Sequence, residues 1–191
     1  MGKLNNTKEA QLEQNLIDLL CAQHGQWTFR SDLKTEEDLW NNLRNIIEIR
    51  NKSELNDNML TDSEFERIRS EILANTKTPF EAAKWLRGEK GKCSVVLERD
   101  NGLGRIELII YSSIEKNGGF SSYEIVHQIA KNKSNLEERS RRFDITLLIS
   151  GLPIIQIELK TAIAKDGVKQ AYYQIEKYID EGTFSNTIFQ T

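Results

Sequence analysis

Three ionisable residues stand at the ends of two apolar segments in FDITLLISGLPIIQIELK, residues 143–160: Asp144, Glu158 and Lys160. Folding the segment about Gly151-Leu152 sets Asp144 within about one residue of Glu158. Strand alternation puts Glu158 and Lys160 on one side of their strand, and twist or a bulge would bring Asp144 beside them. Two carboxylates at the rim of an apolar sheet repel each other and resist desolvation unless a cation joins them. Oxygen ligands with open positions suit Mg²⁺ or Mn²⁺ rather than zinc. A lysine beside a hydrated metal can orient or help deprotonate an attacking water while the metal stabilises charge on a phosphate. The competing reading is a strand-end ion pair worth under about 1 kcal/mol.

A polyanion substrate needs positive charge nearby. The net charge of −3 hides an uneven distribution, because residues 1–75 are acid-rich. Just before the apolar segments, KNKSNLEERSRR carries Lys131, Lys133, Arg139, Arg141 and Arg142 against Glu137 and Glu138. Such a stretch fits phosphate contacts, and equally fits a solvated loop.

The elements that must position these groups follow from periodicity and punctuation. Leu12, Leu16, Leu19 and Leu20 recur at helical spacing, with Gly25 as a stop. Thr35 with Asp38 resembles a capping box ahead of Leu39, Trp40, Leu43, Ile46 and Ile47, and Thr61 with Glu64 completes one ahead of Phe65, Ile68 and Ile72. Thr78-Pro79 starts a further helix that ends at Gly88. The period then changes. KCSVVLE, the turn Asp100-Asn101-Gly102 and RIELIIYS read as a hairpin, and SYEIVHQIA as a third strand. FDITLLI and PIIQIEL, apolar on both faces, are expected centrally in the sheet. From Gly167 a helical stripe runs through Val168, Ala171, Tyr172, Ile175, Tyr178 and Ile179, expected to pack on that sheet. The order predicts an α+β or mixed α/β fold, with helices in 1–90 packed on a sheet-bearing core in 91–191, together one domain.

Other classes are disfavoured. The apolar runs are too short for a membrane span, and MGKLNNTKEAQ lacks a secretory core. Cys21 and Cys93 show no CxxC spacing, so a reduced cytoplasmic setting is expected. GEKGKCS lacks the spacing of a phosphate loop. His24 and His127 stand alone and read as structural.

Asp144…Glu158-Leu159-Lys160 follows the D…(D/E)xK pattern of the PD-(D/E)xK nucleases, with Phe-Asp in place of Pro-Asp. The surroundings, RRFDITLLISGLPIIQIELK followed by VKQAYYQIEKY, resemble the N-terminal nuclease domain of the restriction (R) subunit of type I restriction-modification enzymes. Gln174 and Tyr178 resemble the Q-x-x-x-Y motif of the RecB-like branch. LTDSEFERI at 60–68 and the leading helix around Leu12-Glu13 also resemble the family. The resemblance implies a restriction-endonuclease-like central β-sheet flanked by helices and cleavage of double-stranded DNA without sequence reading by this domain. It implies that Asp144 and Glu158, with the Leu159 backbone carbonyl, ligate Mg²⁺ or Mn²⁺, and that Lys160 handles the water. Gln174 and Tyr178, four apart and on one helix face, would orient Lys160, the loop or a phosphate. It places an acid near the metal from the leading helix, at Glu13 or its neighbours Glu9 and Asp18. Methyltransferase and specificity subunits would be partners, and ATP would serve only motor domains absent here. The tail EGTFSNTIFQT ends where a further sheet strand is expected, so the chain is expected to be a fragment with an exposed sheet edge. The alternatives are a non-catalytic DNA-binding or docking module on the same fold, and a repair or recombination nuclease of the same superfamily.

Overall fold

The computed structural model of the chain describes residues 2–22, 26–113, 121–130, 142–160, 166–180, 182 and 184–190. Gly25 and His24 lie outside them. The three threonine-led starts all form caps. Thr35 accepts from the Asp38 N–H, and the Asp38 carboxylate accepts from the Thr35 N–H, opening helix α2 (Glu36–Arg50). The short helix α3 (Lys52–Leu55) follows it. Thr61 and Glu64 make the same reciprocal box for α4 (Asp62–Asn75). Thr78 caps α5 (Pro79–Arg87), with Pro79 at its first turn and Gly88 at its end. Each box satisfies amide donors that the first helical turn leaves without intrahelical partners.

The strands form two ladders. Strand β2 (Lys92–Glu98) pairs antiparallel with β3 (Arg105–Ser112) across a 3₁₀ turn at Asp100–Gly102. The main sheet has the order β1-β4-β5-β6. Its strands are β1 (Thr28–Phe29), β4 (Tyr123–Ala130), β5 (Arg142–Ile149) and β6 (Leu152–Ile157). β1 runs parallel to β4 and the other neighbours are antiparallel, so the sheet is mixed. The fold is therefore the expected mixed helix-and-sheet class. In detail it differs: β1 comes from the helical N-terminal part, and the β2–β3 hairpin stands apart from the main sheet.

The two faces of the main sheet bury different clusters. On one, Leu39, Trp40, Leu43 and Ile47 of α2 and Phe65, Ile68 and Ile72 of α4 pack with Leu97, Leu108, Ile110, Val126 and Leu148. On the other, helix α1 (Gly2–Ala22) sets Ile17 against Ile125, Ile145 and Leu147. The buried face of α1 takes in half of the leucine stripe read from the sequence, since Leu16 and Leu20 pack against this cluster. Leu12 and Leu19 are exposed, and Glu13 and Ile17, one turn apart, face the sheet. Strand β6 is also not central, since among the described residues it pairs only with β5 and exposes Ile154 and Ile155. An apolar run reports what a strand tolerates, not what finally covers it.

Helix α6 (Gly167–Asp180) repeats that lesson. Val168 is 89% exposed, and Tyr172, Ile175 and Ile179 are exposed as well; Tyr178, at 3%, is the residue of the stripe that reaches the core. Its ring packs edge-on against Phe143, which stacks on Phe184 and touches Phe189. No helix among the described residues is long and apolar enough to cross a membrane.

Candidate active site

The β5–β6 hairpin sets the register of the site. Its turn is centred on Ser150 and Gly151, one residue earlier than the sequence suggested, with φ of +53° and +79°. Positive φ at both central positions is the type I′ geometry that matches the twist of paired strands. Near the turn, Leu148 pairs with Pro153; farther out, Leu147 pairs with Ile155, so Ile154 is an extra, bulged residue. Without it, Asp144 would face Ile157. With it, Ile145 faces Ile157, and the next rung outward brings Asp144 opposite Glu158.

The contacts agree. Asp144 Oδ2 accepts the Leu159 N–H at 2.8 Å. The Leu159 backbone thus meets Asp144 through its N–H, and its side chain packs in the smaller cluster. Glu158 Oε2 accepts from Gln174 Nε2 at 2.8 Å, and the same nitrogen lies 2.6 Å from the Tyr178 hydroxyl. Gln174 is thus a strut between α6 and Glu158 rather than a solvent-facing filler. Tyr178 is both core and site, its ring among phenylalanines and its hydroxyl at the Gln174–Glu158 pair.

Glu158 Oε1 is buried with no hydrogen-bond partner among the described residues. Burial, then the neighbouring Asp144 charge, pushes the Glu158 carboxyl up to about 7, against the opposing influence of Lys160 and the Tyr178 hydrogen bond. An orphaned carboxylate oxygen beside a second carboxylate suits a hard divalent cation, and the donor set fits Mg²⁺ or Mn²⁺. No three His, Cys, Asp or Glu side chains gather as a cage among the described residues. Magnesium does not require one, because it commonly binds through one or two carboxylates and retains waters. Lys160, half-buried, acts electrostatically on both Glu158 and Glu13.

Glu13 is 8% exposed on α1 and is felt by Asp144 and Lys160. Burial raises its pKa, and Gln128 opposes that rise by donating to both carboxylate oxygens, at 3.0 and 2.9 Å. The structure therefore brings the leading-helix acid to the rim of the hairpin site. Glu9, one turn earlier, acts on Glu13 electrostatically, whereas Asp18 is exposed and accepts from Gln14. Gln128 was missed from the sequence, although a glutamine interrupting the apolar run of YEIVHQIA was the available signal. Gln156 was missed too: it lies two residues before Glu158, accepts from Thr146 Oγ1 at 2.6 Å, and has a buried Nε2 without a partner among the described residues.

Of the basic stretch, Lys131, Lys133, Arg139 and Arg141 lie outside the described residues. Arg142 begins β5, and its backbone pairs with Ala130, so the stretch joins the sheet two residues from Asp144. His127 is half-buried beside Phe29 and Lys34, a structural setting. Cys21 and Cys93 are both free.

Known proteins are similar to this chain in sequence. Residues 6–191 match the family model for the type I restriction enzyme R protein N terminus. The SsaAORF53P type I restriction enzyme endonuclease subunit of Staphylococcus saprophyticus is 31% identical over 148 residues, covering 76% of this chain and 14% of that protein. The SauCOLORF180P endonuclease subunit of Staphylococcus aureus strain COL is 30% identical over 151 residues, 78% of this chain and 14% of its own length. The Escherichia coli EcoprrI endonuclease subunit is 38% identical over 66 residues, 33% of this chain and 20% of that protein. The chain thus spans about one seventh of the length of the staphylococcal relatives. With a match over nearly all its residues, the chain belongs to the family of type I restriction enzyme R protein N-terminal domains.

Proposed function

We propose that this chain is the nuclease domain of a type I restriction enzyme R subunit, a PD-(D/E)xK enzyme. It hydrolyses phosphodiesters of double-stranded DNA with Mg²⁺ or Mn²⁺ and reads no sequence itself. The observation that carries the reading is the buried Glu158 Oε1, without a hydrogen-bond partner among the described residues, beside Asp144 and with Lys160 two residues on. When bound, a divalent cation supplies a more acidic water and stabilises charge developing on the phosphate. Asp144 and Glu158 would hold it, with the Leu159 carbonyl as a further oxygen and Glu13 at the rim. Gln174 keeps one oxygen of Glu158 engaged, which leaves the other directed to the centre. Tyr178 anchors Gln174 and ties α6 to the core. Lys160 would orient the attacking water and favour its ionised form through its positive charge. The segment bearing Lys131, Lys133, Arg139, Arg141 and Arg142 supplies phosphate contacts, which set affinity and its salt dependence rather than specificity.

In the parent enzyme, target choice and methylation belong to specificity and methyltransferase subunits, and ATP serves motor domains outside these residues. The setting is the cytoplasm. The test is a calorimetric titration of Mn²⁺ into the chain and into Asp144→Asn, whose amide oxygen can still accept the Leu159 N–H. Saturable binding that the substitution weakens at least tenfold supports the reading. Equal binding in both, or none in the wild type, refutes a hairpin metal site and leaves a DNA-docking module as the better account.

A further inference from the structure

The ladder between β4 and β5 breaks at one rung. His127 pairs with Ile145 and Ile129 with Phe143, and the rung between them, Gln128 with Asp144, is missing. Gln128 has φ of +53°, a left-handed conformation that glycine, asparagine and aspartate adopt far more readily than glutamine. Strand alternation changes phase there. Val126 and Ile129, three apart, both enter the larger cluster, while Ile125 enters the smaller. Opposite them the same break separates Phe143, in the larger cluster, from Ile145, in the smaller. An unbroken strand would send residues two apart to the same side. The interruption thus falls at the carboxylate Asp144, and irregular strand geometry beside active sites commonly re-aims a side chain.

The side chain of the same residue reaches across to α1. Its Nε2 bridges both oxygens of Glu13, a buried acid that Lys160 and Asp144 also sense. An arginine or lysine in this place would hold Glu13 equally well but would cancel its charge. A neutral amide fixes the carboxylate and leaves the negative charge available to a cation.

We propose that Gln128 is a positioning residue for the Asp144–Glu158 centre: its left-handed backbone breaks the sheet at Asp144, and its amide holds the Glu13 carboxyl in place at the rim. This rests on the metal-dependent reading above and assigns a role to a residue outside the acid, acid and lysine pattern. The backbone and the amide act separately, so they can be tested separately. Gln128→Gly keeps the left-handed backbone and removes the amide, while Gln128→Val disfavours that backbone outright.

The experiment measures urea unfolding and Mn²⁺ binding by calorimetry for the chain, both variants, Glu13→Ala, and Glu13→Ala combined with Gln128→Gly. Both variants lose the amide that serves buried Glu13, but Gln128→Gly keeps the left-handed backbone without strain, so it is expected to unfold at a higher urea concentration than Gln128→Val. Gln128→Gly is expected to lose about tenfold or more in Mn²⁺ affinity, as losses of ligand-orienting partners do. In the Glu13→Ala background the same change should alter affinity by less than about twofold, because its effect runs through Glu13. A purely structural role would give independent, multiplying losses and overturn the proposal. So would wild-type affinity in Gln128→Gly, or a Gln128→Val chain as stable as Gln128→Gly. A wild-type chain that binds no Mn²⁺ would instead remove the metal reading, and this inference with it.

Discussion

Replacing Glu158 by glutamine should make the metal-free chain more stable at pH 8. The Glu158 carboxyl is raised from its ordinary 4.5 to about 7, by burial first and by Asp144 second. The folded chain therefore holds a proton that the unfolded chain releases over this interval, so stability declines as pH rises from about 4.5 to about 7. At 1.36 kcal/mol for each pH unit, keeping the carboxylate ionised at pH 8 costs the fold at most about 3 kcal/mol. Partial exposure of the side chain reduces this to about 1–3 kcal/mol. Glutamine is isosteric, keeps an acceptor for Gln174, and removes the charge. For a chain of this size the gain corresponds to a rise of about 2–12 °C in Tm. Thermal melts with EDTA at pH 5, 6, 7 and 8 provide the assay, and the gap between variant and wild type should shrink towards pH 5. Saturating Mn²⁺ should then reverse the order at pH 8, stabilising the wild type by about 3 kcal/mol at a hundredfold excess over Kd. A variant less stable than wild type at pH 8, or a gap unchanged between pH 5 and pH 8, would refute the reasoning.

Lys160→Ala should leave Mn²⁺ affinity unchanged or slightly higher and abolish DNA cleavage by the parent subunit; loss of metal binding in calorimetry would assign the lysine a structural role instead. Arg99→Ala should cost about 3 kcal/mol in urea unfolding, because it leaves the charge of Glu64, fully buried and 2.7 Å from the Arg99 guanidinium, to the Thr61 and Asp100 N–H groups alone. A loss below about 1 kcal/mol would show that the two backbone N–H donors suffice to hold the charge. Gly151→Ala should destabilise more than Gly102→Ala, by about 1–3 kcal/mol against about 1. Both have positive φ, but a Cβ at 151 would lie 3.1 Å from Leu43 Cα, whereas one at 102 meets nothing within 4 Å. Equal melting temperatures for the two variants would refute the packing argument.

The local sequence determined the helix starts, the strand segments and the pairing of Asp144, Glu158 and Lys160 on one hairpin. Caps at Thr35, Thr61 and Thr78 depend on partners three residues away, and Gln174 and Tyr178 share a helix face because they are four apart. Signals of that range are written directly in the chain. The rest was settled by contacts between segments far apart. The bulge at Ile154 decides that Asp144 meets Glu158 rather than Ile157, and hydrophobic alternation alone allows either register. Glu13 was legible as one of three acids on an amphipathic helix, but the packing of Ile17 on Ile145 turned that one to the site. Gln128 became a site residue because the sheet breaks at its rung and α1 lies above it. The stripe on α6 fooled sequence reasoning for the complementary reason. Periodicity shows that a helix has an apolar face; only tertiary structure shows which of those residues, here Tyr178, the fold buries.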